Sequence, residues 1–279
     1  MELSAGAKNL HKKLKENKVL IAAHRGTNGG NVIQNTLMAY ETAMQHGADL
    51  VEIDVIMSTD GDFYAFHNGQ EKYLLREDRD IRDMSSKEID KCNCYNSVGE
   101  VSGQKLERLE YVLEGLRDRC FINIDRSWFY WKEIIEFLKK VNMDHQIILK
   151  SPVDKELLHI LQESKSQIMY MPIVKNMDEW NLVREYDVNL VAAELIFETL
   201  ESPLVQKEFI EKLHEAGILA WVNAITLNDR IVLSAGLDDD NSIKNSYDEN
   251  WGKLIEMGFD MIQTDWPALI KEYILSRFN

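Results

Sequence analysis

The sequence has few cysteines, few prolines and no low-complexity tract, and each shortage argues against a class of protein. Three cysteines, Cys92, Cys94 and Cys120, are too few and too scattered for a disulfide framework. Cys92 and Cys94 look like half of a zinc site, but no second pair with zinc spacing completes it. Four prolines and the lack of biased composition argue against a disordered chain or a long flexible linker.

Basic residues are scarce beside acidic ones, with 32 Lys and Arg against 47 Asp and Glu and a formal net charge of −15. Such a chain would repel the phosphates of nucleic acid, so we expect no nucleic-acid partner. Because it lacks a run of 18 apolar residues, we also expect no stable membrane insertion. No apolar leader is visible, which predicts a cytoplasmic protein, or a periplasmic or secreted one if a leader was trimmed. Nothing in the sequence specifies an oligomeric state.

Short apolar runs alternate with amphipathic segments along all 279 residues. The nine runs are 19–23, 50–57, 63–66, 121–124, 147–149, 168–174, 190–196, 218–222 and 259–262. The clearest helical segments between them are 36–46, 131–141, 155–163, 178–185 and 208–216. This alternation is typical of βαβ units, and the length suits one (β/α)8 TIM barrel of the α/β class. We therefore predict a single barrel domain over residues 1–279.

Nine runs are one too many for an eight-stranded barrel, and the third run explains the surplus. Only residues 58–61 separate it from the second run, and Asp60-Gly61 is a strong turn signal. Since parallel strands need a long crossover, we predict that 63–66 forms a β-hairpin extension with strand 2. The polar segment that follows, about 68–105, is predicted to be an insert over the carboxyl end of the barrel, and a second polar insert spans 238–249.

Two carboxylates in the second run are the most informative residues for function. Glu52 and Asp54 are two positions apart, so their side chains lie on one face of a strand, while the alternating valines and isoleucine occupy the other. The apolar face should pack under helices, which directs both carboxylates into the barrel. Together with Asp125 they would suit one divalent cation, Mg²⁺ or Ca²⁺. The alternative is a structural network in which Arg or Lys balances them.

Two histidines and an arginine stand at predicted strand ends beside these carboxylates. His24 and His67 titrate near neutrality, as the general acid and general base of phosphodiester cleavage must. Arg25 offers a fork of donors that matches phosphate oxygens. Each also has a plainer interpretation, a satisfied structural histidine or an interface ion pair.

Five segments of the first 70 residues resemble the N-terminal signature of the glycerophosphodiester phosphodiesterase family, within the superfamily of phosphodiesterases like phosphoinositide-specific phospholipase C. The matching segments are 23–26, 34–37, 47–55, 59–61 and 67–68, with weaker matches at 106–113, 122–125, 220–223 and 258–267. The resemblance implies a barrel that binds a divalent cation through Glu52, Asp54 and Asp125. It further implies acid–base catalysis by His24 and His67, with phosphate contact by Arg25. The implied activity is metal-dependent hydrolysis of glycerophosphodiesters, or a related soluble phosphodiester, to an alcohol and a phosphomonoester.

The sequence departs from the family pattern at several positions. Asn68 stands where the family has Asp, Asp125 where it has Glu, and Ser127 where it has Lys. Lys150, at the end of the next run, could supply the missing charge to the substrate phosphate from a neighbouring strand. The family also has Pro-Glu where this chain has Ile33-Gln34. These departures point to a divergent branch with a different substrate, or to an impaired enzyme.

The alcohol carried by the phosphodiester substrate is not specified by any motif. Glu194, Asn223 and Trp128 are candidate substrate-pocket residues, although packing is the commoner role of each. One alternative function is a phospholipase C- or D-like enzyme on the same barrel, which the acidic composition and the lack of a visible hydrophobic anchor disfavour. Another is a non-catalytic barrel that binds phosphorylated ligands, which the two histidines and three carboxylates disfavour.

Overall fold

The computed structural model describes residues 3–228 and 230–278. Its strands are β1 (Leu20–Ala23), β2 (Leu50–Met57), β3 (Phe63–Ala65), β4 (Phe121–Asp125), β5 (Ile147–Pro152), β6 (Met169–Val174), β7 (Ala192–Leu195), β8 (Leu219–Asn223) and β9 (Met261–Thr264). Its α-helices are α1 (Ala5–Glu16), α2 (Leu37–Gln45), α3 (Glu71–Leu74), α4 (Ser86–Ile89), α5 (Leu109–Leu116), α6 (Trp131–Val141), α7 (Lys155–Ser164), α8 (Met177–Val183), α9 (Lys207–Glu215), α10 (Asp239–Lys244), α11 (Lys253–Glu256) and α12 (Pro267–Phe278). Short 3-10 helices span Ile81–Asp83, Ser127–Tyr130 and Pro203–Val205, and a π-helix spans Asp248–Gly252.

Eight of the strands form a closed parallel barrel. The order is β1-β9-β8-β7-β6-β5-β4-β2, and β1 also pairs with β2, which closes the sheet. The remaining strand, β3, pairs antiparallel with β2 through Val55 and Ala65. The predicted (β/α)8 TIM barrel with a β-hairpin extension is therefore confirmed, and all nine apolar runs contain strands.

Successive side chains of β2 point alternately out of and into the barrel, as the sequence predicts. Val51, Ile53 and Val55 face outward into a core that includes Leu109 and Leu113 of α5. Glu52 and Asp54 face the interior, where β2 and β4 pair in register. Burial of the outward face against helices fixes the register, because a slip of one residue would exchange the apolar and charged faces.

Helix α1 closes the amino end of the barrel. Its Ala7 and Leu10 are fully buried against inward-facing residues of the strands. Ser4 caps the helix by accepting a hydrogen bond from the backbone N–H of Ala7. This end of the interior is apolar, which leaves the carboxyl end for polar side chains.

The insert after β3 lies at the carboxyl end and contains more apolar packing than its polar sequence indicates. Ile81, Met84 and Ile89 form a small core with residues of β2 and β3. The backbone N–H of Ile33, in the β1–α2 loop, donates to Gln104 Oε1 at 3.0 Å. The insert is thus fixed to the loop that follows β1. No helix in the described part of the chain is long and apolar enough to span a membrane.

Candidate active site

Three carboxylates converge inside the carboxyl end of the barrel. Glu52 and Asp54 on β2 lie beside Asn123 and Asp125 on β4 because the two strands pair in register. Glu52, Asp54 and Asp125 each offer an oxygen within 4.8 Å of the others. Hard oxygen ligands at this spacing suit a divalent cation. The geometry therefore brings together the three residues that the sequence singles out as metal ligands.

Glu52 is the least compensated of the three carboxylates. Its Oε2 accepts a hydrogen bond from the backbone N–H of Arg25 at 2.9 Å. Its Oε1 is buried and has no hydrogen-bond partner among the described residues. Burial, reinforced by the charges of Asp54 and Asp125, raises the pKa of Glu52 well above its ordinary value. A cation at this position would satisfy the unpaired oxygen and offset the repulsion, so the donor set fits the metal that the resemblance implies.

Asp54 has direct positive and polar partners. Arg25 Nε lies 2.8 Å from Asp54 Oδ2, and Asn35 Nδ2 donates to the same oxygen at 3.0 Å. Tyr40 holds Asn35 in place by donating to its Oδ1 at 2.8 Å. Burial opposes ionisation of Asp54, but the Arg25 guanidinium prevails and lowers its pKa. Arg25 itself has a left-handed backbone with φ of 57°, a costly conformation for a non-glycine residue that this network stabilises.

Lys150 provides a lysine beside the third carboxylate, Asp125, although the position at which the family has lysine is occupied by Ser127. Its Nζ is 2.6 Å from Asp125 Oδ2 and 2.9 Å from Glu194 Oε2. Burial alone would lower the pKa of Lys150, but the two carboxylates raise it, so the side chain is a stable cation. Ser127 is fully buried nearby, and its hydroxyl has no hydrogen-bond partner in the described part of the chain. A lysine from β5 thus reaches the third carboxylate in place of one from the segment that follows β4.

The three candidate substrate-pocket residues do not share one location. Glu194 Oε1 accepts from Asn223 Nδ2 at 2.9 Å, and Asn223 Oδ1 accepts from Trp221 Nε1 at 2.8 Å. These side chains are buried in the barrel and support Lys150 from the far side. Trp128, by contrast, packs against the outer core, and its ring lies 5.5 Å from that of Phe129. The structure therefore joins Glu194 and Asn223 to the charged network and leaves Trp128 apart from it.

Both histidines open into one cavity of about 1040 Å³, which Arg25 also lines. His24 Nδ1 is 2.8 Å from Asp265 Oδ1, on the residue that directly follows β9. His67 follows the hairpin arm, and its Nδ1 is buried with no hydrogen-bond partner in residues 3–228 and 230–278. Burial lowers the pKa of His67, so its imidazole is neutral near pH 7. The two histidines therefore differ in surroundings although they share a cavity.

Sequence reasoning missed several polar residues that hold the site. Asp265 orients His24, Asn35 binds Asp54, and Arg126 Nη2 donates to Asn68 Oδ1 at 2.8 Å. Asp265 and Arg126 both directly follow barrel strands, and that position was the available signal, since polar residues there lie at the mouth. Asn35 lies in a loop, where no periodicity marks its direction.

One wall of the cavity is apolar. Leu227, Ile231 and Trp266 line it and are each about half exposed. They lie on the loops after β8 and β9, so their apolar character does not follow from the strand pattern. The expectation that the chain has no exposed hydrophobic anchor therefore does not hold at this cavity.

Comparison with known proteins identifies relatives for this barrel. A family model described as a domain of unknown function matches residues 170–274. A glycerophosphodiester phosphodiesterase of Caldanaerobacter subterraneus is 30% identical over 142 residues, which cover 48% of this chain and 58% of that protein. The match thus spans little more than half of that relative's length.

Solved structures extend the similarity to nearly the whole chain. A glycerophosphoryl diester phosphodiesterase from Parabacteroides distasonis superposes with a TM-score of 0.78 at 17% identity, covering 99% of this chain and 93% of that one. The resemblance to the glycerophosphodiester phosphodiesterase family is confirmed. A phosphodiesterase from Oleispira antarctica, in complex with the product sn-glycerol-3-phosphate, has a TM-score of 0.66 at 19% identity and covers 91% of this chain and 96% of that one. The fold of this chain matches that of the glycerophosphodiester phosphodiesterases.

Proposed function

We propose that this chain is a divalent-cation-dependent glycerophosphodiester phosphodiesterase, which hydrolyses glycerophosphodiesters or a related soluble phosphodiester to an alcohol and a phosphomonoester. One observation carries the proposal. His24 and His67 open into the same cavity beside a three-carboxylate group in which one buried oxygen of Glu52 has no partner among the described residues. An unsatisfied buried carboxylate oxygen is costly, and a cation held by the three carboxylates would satisfy it.

The metal would be held by Glu52, Asp54 and Asp125. These oxygen ligands suit Mg²⁺ or Ca²⁺, and a bound divalent cation stabilises charge that develops on a phosphate oxygen. Lys150 adds positive charge beneath this group through its ion pair with Asp125. Arg25 Nε is paired with Asp54 and Nη1 donates to Gln34 Oε1 at 3.5 Å, so Nη2 is the nitrogen that we assign to the substrate phosphate.

The different surroundings of the histidines assign them different roles. His67 is neutral near pH 7 because burial lowers its pKa, so it takes the proton from the attacking water, or from a substrate hydroxyl whose attack gives a cyclic phosphate that water then opens to the phosphomonoester. As a P–O bond forms to that oxygen, the P–O bond to the departing alcohol breaks. His24 gives its proton to the departing oxygen, and Asp265, 2.8 Å from Nδ1, balances the imidazolium charge before transfer.

The test is hydrolysis of bis(p-nitrophenyl) phosphate and of glycerophosphodiesters by metal-stripped protein, with Mg²⁺, Ca²⁺ or Mn²⁺ added back. We expect metal-dependent turnover that falls roughly 10²- to 10⁴-fold in His24→Ala and in His67→Ala. The matched control is His145→Ala, because His145 pairs with Asp118 at the amino end of the barrel and should leave turnover unchanged. Metal-independent turnover, or full activity in both active-site variants, would refute the proposal.

The apolar wall favours a second candidate, a phospholipase D-like enzyme on a soluble lysophospholipid. Leu227, Ile231 and Trp266 would contact the acyl chain of such a substrate. The test measures how much Trp266→Ala lowers kcat/KM, relative to the unaltered protein, on a lysophospholipid and on glycerophosphocholine. A loss confined to the lysophospholipid would support this candidate, and an equal effect on both substrates would reject it.

A further inference from the structure

A buried carboxylate outside the metal-binding group, that of Asp239, is connected to His24 through Asp265. Asp239 begins α10, within the long connection between β8 and β9, and is 1% exposed. Its Oδ1 accepts from Trp251 Nε1 at 2.9 Å and from Thr264 Oγ1 at 2.8 Å. Its Oδ2 accepts from the backbone N–H of Asp265 at 2.8 Å. All three of these partners are donors, and two of them lie at the end of β9.

The contact with Asp265 links Asp239 to His24. The backbone N–H of Asp265 donates to Asp239 Oδ2 at 2.8 Å. The Oδ1 atom of the Asp265 side chain lies 2.8 Å from His24 Nδ1. The Asp265 side chain is 43% exposed, so packing does little to fix it. The backbone on either side is held firmly, since Thr264 donates to Asp239 and accepts from the Trp266 N–H at 2.9 Å. Asp239 therefore binds both Thr264 and the backbone of the residue whose carboxylate contacts His24.

We propose that Asp239 is a positioning residue that fixes Asp265, and through it the orientation and tautomer of the His24 ring. The role of His24 in turnover rests on the proposed function, but the structural coupling does not. A carboxylate that accepts Nδ1–H selects the tautomer in which Nε2 faces the cavity without a proton. That nitrogen can then be protonated and deliver the proton to the departing alcohol.

The chemistry of the three donors explains why a carboxylate is needed at this position. An asparagine would have one acceptor oxygen, and its amide group would face a donor from either Asp265 or the Trp251 and Thr264 pair. If the Thr264 hydroxyl turned to accept from that amide, its own proton would lose Asp239 as its acceptor. Burial raises the pKa of Asp239 to about 7, so the charge is costly there and depends on these donors.

The experiment measures the His24 tautomer by ¹⁵N NMR of the metal-free full chain, together with kcat and KM of the metal-loaded protein. The variants are Asp239→Asn, Asp265→Asn and the double variant. We expect Asp239→Asn to shift His24 from the Nδ1–H toward the Nε2–H tautomer, as Asp265→Asn does. We expect kcat to fall roughly 10- to 100-fold with KM changed less than about twofold, because a small displacement of a reacting group lowers the rate steeply. The double variant should be no worse than Asp265→Asn, since both changes act through one contact.

Asp260→Asn is the control for the loss of a partly buried, hydrogen-bonded carboxylate that follows the same loop into β9 but lies at the opposite end of the barrel. Asp260 accepts from the Ala220 N–H at 2.8 Å and from His214 at 2.9 Å, at the amino end of the barrel. This variant should lower the melting temperature and leave both kcat and the His24 tautomer unchanged. If Asp239→Asn does not fold, Thr264→Val removes one donor and should give a smaller tautomer shift in the same direction.

An unchanged His24 tautomer in folded Asp239→Asn would overturn the inference, as would losses in kcat that multiply in the double variant. Either result would assign Asp239 to anchoring α10 alone. A chain without phosphodiesterase activity would refute the proposed function and leave the tautomer measurement valid. The two failures are therefore distinguishable.

Discussion

The two ends of the barrel interior are built from the same strands and have opposite character. At the amino end the inward residues are apolar and pack against α1: Leu20, Ala22, Leu50, Ile148, Met169, Met171, Ala192, Leu219, Trp221 and Met261. At the carboxyl end, two positions further along β2, β5 and β7, they are Glu52, Lys150 and Glu194. Apolar burial at one end stabilises the barrel, while charge burial at the other opposes folding unless it is compensated.

The compensation at the carboxyl end is incomplete. Four inward carboxylates, those of Glu52, Asp54, Asp125 and Glu194, meet two cations, Arg25 and Lys150. Arg25 is paired with Asp54, and Lys150 with Asp125 and Glu194, so within residues 3–228 and 230–278 Glu52 is left without an ion-pair partner. One end of the interior therefore secures the fold, while the other carries the uncompensated charge on which the proposed cation site rests. The predictions below test that division.

The largest effect is expected for Lys150→Met. Removing the cation leaves Asp125 and Glu194 buried without their shared partner, and breaking a buried ion pair destabilises a protein by about 3–5 kcal/mol. We expect the free energy of unfolding in urea to fall by that amount and turnover to be lost.

Two further variants sharpen this prediction. Met169→Leu, at the apolar end, should cost less than about 1.5 kcal/mol because the volume is conserved. Adding Ser127→Lys to Lys150→Met should restore part of the turnover, since Ser127 stands where the family has lysine. Equal destabilisation by Lys150→Met and Met169→Leu would contradict the contrast between the two ends.

Leu10→Ala should produce the next largest effect, and on stability alone. Leu10 is fully buried against the inward apolar residues, and truncation of a buried leucine costs about 2–5 kcal/mol. The midpoint of urea unfolding should fall while kcat, measured well below the unfolding transition, stays the same. A large loss of kcat in folded protein would mean that the amino end also shapes the site.

A smaller stabilisation is expected when Mg²⁺ or Ca²⁺ is added to the metal-free protein. A ligand at 100 times its dissociation constant stabilises the folded state by about 2.7 kcal/mol, which raises the melting temperature. Glu52→Gln should remove most of this rise because it replaces a carboxylate ligand with an amide. Asp49→Asn changes a buried carboxylate at the amino end, which accepts from the Ile21 N–H, and should keep it. A rise that survives Glu52→Gln would place the cation elsewhere.

Sequence periodicity predicts the barrel well because each strand obeys a local rule. Runs of β-branched and apolar residues alternate with amphipathic helices, and the Asp60-Gly61 turn forces β3 into a hairpin. The small core of the insert is harder to predict, because Ile81, Met84 and Ile89 are spaced too irregularly for any periodic pattern. Only the fold brings them together.

The site divides in the same way. Residues on strands, such as Glu52 and Lys150, have directions that follow from alternation. Asp239 and Leu227 lie in the long connection between β8 and β9, whose course no local rule specifies, and their positions become clear only in three dimensions. Trp128 lies on a short 3-10 helix and packs against the outer core, a direction that strand alternation could not predict.

The smallest predicted effect concerns pH and tests the distinction between the two histidines. Burial lowers the pKa of His67 from its ordinary value near 6.5, so this imidazole stays neutral below that pH. A base acts only in its neutral form, so the acid limb of kcat/KM should lie below pH 6.5 and follow His67. The same lowered pKa makes folding stability depend on pH, because the unfolded chain protonates this histidine at a higher pH than the folded protein does. The stability that His67 contributes is fully present above pH 6.5 and is lost as the pH falls from 6.5 toward the lower folded-state pKa. A pH–rate profile with an acid limb at or above 6.5 would contradict His67 as the base, and the same profile in Asp265→Asn would show whether that limb is independent of His24.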